Sequence, residues 1–153
     1  METIAEILAG VPLFEGLEPE QLELIAGCGS NVGFDEGDYL FREGDHADTF
    51  FLLRHGAVAL ELFTPPRGSL TIETLEAGEV VGWSWLFAPY SWHFDARAGS
   101  LVRATAFDGA CLRTKCENDP ALGYALMSRF ARVMIGRLQM TRLRLLDVYG
   151  RNS

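Results

Sequence analysis

The sequence predicts a mostly β domain: a roll or barrel of short strands, with short helices before it and one long helix after it. Three observations carry this. Between Asn31 and Phe107, short apolar segments alternate with turns marked by Gly and Pro. Before Asn31 and after Asp119 the apolar spacing is helical instead. At 153 residues, 48% hydrophobic and 22% charged, the chain suits a single soluble domain with its own core.

Residues 2–9 and 19–27 read as short helices. In the second, Pro19 suits the first turn, Leu22, Ile25 and Ala26 share a face, and Gly27 and Gly29 stop it. Strands are expected at Val32–Phe34, Tyr39–Arg42, Thr49–Arg54, Ala57–Phe63, Leu70–Leu75, Asp95–Ala98 and Leu101–Phe107. His55–Gly56 suggests a tight hairpin, and Pro65-Pro66-Arg67-Gly68 a longer turn. From Asp119, a good N-cap followed by Pro120, the helical period runs to about Tyr149. Met134, Leu138, Thr141, Leu145 and Val148 recur at spacings of 4, 3, 4 and 3, and Leu126 and Phe130 extend this seam backwards. Such a helix would be about 46 Å long, more than a small roll can cover. The surplus seam is expected to pack on a second copy; the rival is that it folds back on its own domain. Gly136 costs this helix about 1 kcal/mol against Ala; it either permits close helix approach or is only tolerated. The expected plan is a sensing domain over 1–118 and a dimerisation helix over 119–149.

Charge is unevenly placed. Residues 1–114 carry 6 basic and 18 acidic side chains, residues 115–153 carry 7 and 3, and the net is −8. An acidic body argues against broad nucleic-acid binding, because a phosphate backbone needs cations opposite it. The basic tail reads first as an amphipathic helix whose arginines are solvated or face the acidic body, and second as a nucleic-acid arm. No stretch approaches the roughly 20 apolar residues of a membrane span. The start, METIAEILAG, has no basic n-region, which argues against a secretory signal. Cys28, Cys111 and Cys116 cannot all pair with one another, and their number suits free thiols in a reducing cytoplasm.

Chemistry-bearing patterns are few. His46, His55 and His93 lack the spacing of a roll-type metal site, and Cys111 and Cys116 lack partners for a cluster. Asp35, Glu36, Asp38, Glu43, Asp45 and Asp48 crowd one region without EF-hand spacing and read as a solvated acidic rim. No Gly-x-Ser-x-Gly, Walker-type or His-Glu-x2-His motif occurs, so no catalytic or metal residue is assigned. The informative stretch is GEVVGWSWLFAPYSWHFDARA, Gly78–Ala98. It holds all three tryptophans, Trp83, Trp85 and Trp92, with Phe87, Tyr90, His93 and Phe94 between or beside them, and no Lys or Arg before Arg97.

The ordered set of motifs resembles the cyclic nucleotide-binding domains. FDEGDYLFREGDHADTFFLLRHGAVAL is similar to that family's opening signature, with Gly37, Gly44 and Gly56 at the turns. Gly78-Glu79 followed by Gly82 is similar to the start of its phosphate-binding cassette. FDGACLRTKCENDPALGYALMSRFARVM resembles the lead into its long C-terminal helix. The resemblance implies a double-stranded β-helix, a jelly-roll-like β-roll. It also implies a Glu after the cassette glycine for the ribose hydroxyl and an Arg about ten residues on for the cyclic phosphate. Here Trp83 follows Gly82. With Asp95–Ala98 as the strand after the cassette, the Arg position falls at Trp92 or His93, and Arg97 belongs to the strand. A rival alignment slides Arg97 into the phosphate role but leaves Leu101–Phe107 out of step.

A buried phosphate needs a charge-assisted partner, and without one its desolvation costs several kcal/mol. The expectation is therefore a stand-alone regulatory or sensor module that does not bind cyclic AMP in the usual way, acting without catalysis. Its candidate ligand-binding residues are Gly82, Trp83, Ser84, Trp85, Leu86, Trp92 and His93. No cofactor is expected beyond some small-molecule ligand, for which a cyclic nucleotide is doubtful. The partners expected are a second copy through the C-terminal helix and a protein partner, without membrane. One alternative is a ligand-free interaction module whose indoles fill the pocket. Weaker ones are a genuine cyclic nucleotide-binding regulator and, last, a cupin-like metal enzyme. The family's transcription factors carry a helix-turn-helix after the long helix; with the sequence ending at Ser153, the expectation is a chain without one, a truncated chain being the alternative.

Overall fold

A computed structural model describes residues 2–151 of the protein. Two short helices, α1 (Ile4–Ala9) and α2 (Pro19–Ala26), precede eight strands. These are β1 (Gly29–Phe34), β2 (Tyr39–Phe41), β3 (Thr49–His55), β4 (Val58–Thr64), β5 (Gly68–Leu75), β6 (Val80–Val81), β7 (Asp95–Ala98) and β8 (Val102–Asp108). Helices α3 (Gly109–Asn118) and α4 (Pro120–Arg151) follow. The strands form two antiparallel four-stranded sheets, ordered β1-β8-β3-β6 and β2-β7-β4-β5, the two walls of a β-roll.

The first sheet is buried on both faces along the middle of β3, which shows how the sequence encodes this. Side chains alternate across a strand, so its run of four apolar residues serves two cores. Phe51 and Leu53 face the roll interior with Val58, Leu60, Val81, Ala96 and Ala98. Phe50 and Leu52 face the helices and pack with Phe14, Ile25, Phe107, Leu126 and Phe130.

Several expectations need correction. His55–Gly56 does not make a hairpin: β3 pairs with β6 and β8, whereas β4 pairs with β5 and β7. Gly56 instead carries the chain from one sheet to the other, with φ at +88° and no room for a Cβ against Leu101 O. Gly29 opens β1 rather than ending α2. β6 and α3 were not expected. Two residues are too few to show a period, and α3 buries only Gly109 and Leu112 on its own length. The usable signal for α3 was Asp108, whose carboxylate caps it by accepting from Cys111 N at 3.1 Å. Asp119 does the same for α4, accepting from Leu122 N at 3.2 Å.

The cysteines are not all free. Cys28 and Cys111 form a disulfide, with Cα atoms 5.8 Å apart across 83 residues of sequence. Strand register explains the meeting. Gly29 pairs with Phe107, so Cys28, just before β1, lies beside the turn from β8 into α3; its carbonyl accepts from Asp108 N at 2.9 Å. Cys116 remains free and half-buried. The disulfide removes the support that free thiols lent to a reducing compartment.

α4 spans 32 residues, about 48 Å. Leu122, Leu126 and Phe130 are fully buried on the domain's own core. Farther along, Arg137 donates to Val80 O and Arg144 to Ile72 O (2.9 Å), so arginines hold this part of the helix beside the roll. Leu138, Leu145 and Val148 stay exposed at 50%, 52% and 55%. No described helix is long and apolar enough to cross a membrane.

Candidate functional site

The aromatic segment leaves β6 at Gly82, which has φ at +93°. A 3-10 turn (Ser84–Leu86) follows, then a cis Ala88–Pro89 bond and Tyr90 with φ at +55°. Residues 90–92 then run against residues 44–47. Ala47 N donates to Tyr90 O (2.6 Å), Trp92 N to Asp45 O (3.0 Å) and Gly44 N to Trp92 O (2.8 Å). Both backbone groups of Trp92 are thereby committed before β7 begins.

The three indoles go to three different places. Trp92 turns into the roll interior and is 3% exposed. Its ring stacks on Phe41 with centroids 3.7 Å apart and planes 5° from parallel, and Phe94 lies beside it. The six-membered ring sits where a Cβ on residue 82 would have to be, so the close approach requires Gly82. Trp85 turns to the other side of the sheet, into the helix-side core. It stacks on Phe50 (4.9 Å) and meets Phe130 edge-on (5.5 Å), fully buried, with Nε1 lacking a hydrogen-bond partner. Trp83 is half-buried at the edge of the helix-side core, beneath the Arg137 guanidinium at 5.1 Å. Ser84 and Leu86 are half-buried, and Leu86 packs on the helix-side core. His93 is exposed. The expected set therefore does not converge on one cavity: Gly82 and Trp92 meet in the roll, Trp85 and Leu86 meet under the helices, and His93 faces solvent.

Arg113 of α3 was not singled out from the sequence, yet it pins this segment. It donates to Trp85 O and lies 4.2 Å over the Tyr90 ring.

Among the described residues, the side chains packed in the roll interior are apolar. Ala96 and Ala98 point inward from β7, whereas Arg97 lies on the outer side and donates to Glu61 at 3.0 Å. Asp95 accepts from Glu43 N (2.7 Å) and Arg42 Nε (3.4 Å). Among the described residues, the buried polar or charged side chains are Glu61, Asp95 and Thr105, none of them a cation. The acidic rim consists in part of turn caps: Asp38 accepts from Asp35 N (2.9 Å) and Asp45 from Arg42 N (3.2 Å). No group of three His, Cys, Asp or Glu is placed to hold a metal ion among the described residues.

The family model described as "Cyclic nucleotide-binding domain" matches residues 32–119, which runs from β1 to the start of α4. The chain belongs to the cyclic nucleotide-binding domain family. Its fold is that of a putative cyclic nucleotide-binding protein from Geobacter metallireducens, at TM-score 0.80 and 33% identity over 90% of this chain and 99% of that one. Human cGMP-dependent protein kinase 2 is 32% identical over 112 residues, 72% of this chain but 14% of the kinase. A CRP-like cAMP-activated global transcriptional regulator of Mycobacterium tuberculosis is 26% identical over 143 residues, 94% of this chain and 62% of the regulator. The chain thus matches less than two thirds of each of these two relatives.

Proposed function

We propose that the chain is a non-catalytic regulatory module of the cyclic nucleotide-binding domain family whose roll is filled by its own tryptophan and does not take cyclic AMP or cyclic GMP in the usual way. One observation carries this reading: the Trp92 indole lies in the roll interior, stacked on Phe41 and closed against Gly82. That no cation is buried among the described residues supports it, because an anion entering the roll would lose its hydration without gaining a charged partner. The same burial favours a self-filled pocket over one lined by indoles. Output then rests on α4, whose exposed Leu138, Leu145 and Val148 suit a second copy of the chain.

The test is thermal stability with cyclic AMP and cyclic GMP, for the natural chain and for the double variant Trp83→Glu, Trp92→Arg. The natural chain is expected to show no shift. A gain by the folded double variant supports the reading, and a strong shift in the natural chain overturns it.

A further inference from the structure

On the helix side of the molecule, separate from the roll interior, α4 and the turn leading into β6 enclose a groove of about 720 Å³. That is the size of a small-molecule site. Gly136 lies in its wall. A glycine inside a helix is destabilising against Ala, and here no packing within the chain requires it: a Cβ would meet nothing within 4 Å. What the missing side chain does is leave the groove open.

Arg137 is the second observation. Its side chain is 13% exposed, donates to Val80 O, and has Nε 3.9 Å from Glu73 Oε1. A guanidinium carries five N–H donors, so several remain uncommitted. The unbonded ones are not fully buried, because Trp85 Nε1 is the one fully buried side-chain nitrogen or oxygen without a partner among the described residues, and Arg137 lines the groove. Burial pushes the Arg137 pKa down, against Glu73 and Glu79, which hold it up. Arg132 lines the same groove, is exposed, and its side chain makes no hydrogen bond or ion pair among the described residues.

We propose that this groove binds a monoanionic amphipathic small molecule, its carboxylate held by Arg137 in the field of Arg132 and its apolar body lying on Leu13, Val133 and Met140 past Gly136. A carboxylate fits better than a phosphate monoester, because Glu15, Glu73 and Glu79 line the same groove and offset Arg129, Arg132 and Arg137, which leaves no surplus positive charge for a dianion. Arg137 joins α4 to β5 through Glu73 and to the cassette through Val80 and Trp83. Occupancy therefore shifts α4 by as much as the ligand prefers one position of Arg137 over another. The groove lies outside the roll interior and does not include Trp92 or Phe41, so it stands or falls separately from the reading of Trp92.

The experiment titrates the full chain with decanoate, decanol and decyl phosphate by calorimetry, and follows tryptophan fluorescence and sedimentation. Saturable one-to-one binding of decanoate is expected, with decanol and decyl phosphate each at least tenfold weaker. Gly136→Leu should weaken decanoate at least tenfold without lowering the melting temperature, and Arg132→Gln should weaken it severalfold. Absent saturable binding, equal binding of decanol, or undiminished binding by both variants would overturn the proposal. So would dissociation of a probe-free dimer by Gly136→Leu, which would make the groove a contact between copies.

Discussion

Trp92 and Phe41 lie face to face at 3.7 Å, and the ring above Phe41 occupies space left by the missing side chain of Gly82. An aromatic pair buried this well contributes beyond its area. Trp92→Ala is expected to cost about 3–5 kcal/mol, read as a fall in the urea midpoint. In Trp92→Gly, free indole should restore part of the lost melting temperature, whereas it should leave the natural chain unchanged. A Trp92→Ala variant as stable as the natural chain would mean that the ring fills nothing.

Trp85 presents the opposite case, an indole whose Nε1 is buried without a partner. An unsatisfied buried donor costs about 1–3 kcal/mol. Trp85→Phe removes that donor and keeps a ring against Phe50 and Phe130, so the two effects offset. The variant should stay within about 1 kcal/mol of the natural chain, a small change for a buried tryptophan, whereas Trp85→Ala should lose about 3–5 kcal/mol. Chemical denaturation of both variants checks the contrast.

The Cys28–Cys111 disulfide joins the end of α2 to the first turn of α3. Reduction should lower stability by about 2–4 kcal/mol, and Cys116→Ser should not alter that loss. Burial, then Asp119 and Glu117, push the Cys116 thiol above its ordinary range. A raised pKa means less thiolate at a given pH. Alkylation of Cys116 should therefore rise with pH later than for a short cysteine peptide.

Along α4 the seam changes character where the domain ends. Leu126 and Phe130 are buried in the chain's own core, whereas Leu138 and Leu145 are half exposed. If a second copy covers them, Leu138→Glu with Leu145→Glu should convert a dimer to a monomer in sedimentation without lowering the helix signal in circular dichroism. A natural chain that sediments as a monomer at high concentration would contradict the pairing.

The roll and the long helix were legible because their signals are local: turn glycines, alternating apolar residues, and Asp119-Pro120 at the helix start. The non-local features were not. Nothing near His55–Gly56 says that β4 belongs to the other sheet, and the Cys28–Cys111 pairing depends on the β1–β8 register. In the aromatic segment, composition marked a cluster of rings but not its division. Trp85 and Trp92 lie seven residues apart and enter opposite cores, because the 3-10 turn and the pairing with residues 44–47 reorient the chain between them. Arg113 and Arg137 were hidden for the same reason. Each reaches this segment from a helix far along the chain.

The most direct measurement is the indole Nε1–H resonance of Trp92 in a nitrogen-15 spectrum as cyclic AMP is added to millimolar concentration. A ring that fills the roll gives a Trp92 resonance that does not move. A saturable shift of that resonance at micromolar cyclic AMP would show the nucleotide entering the roll and would contradict the reading of Trp92 as its filling.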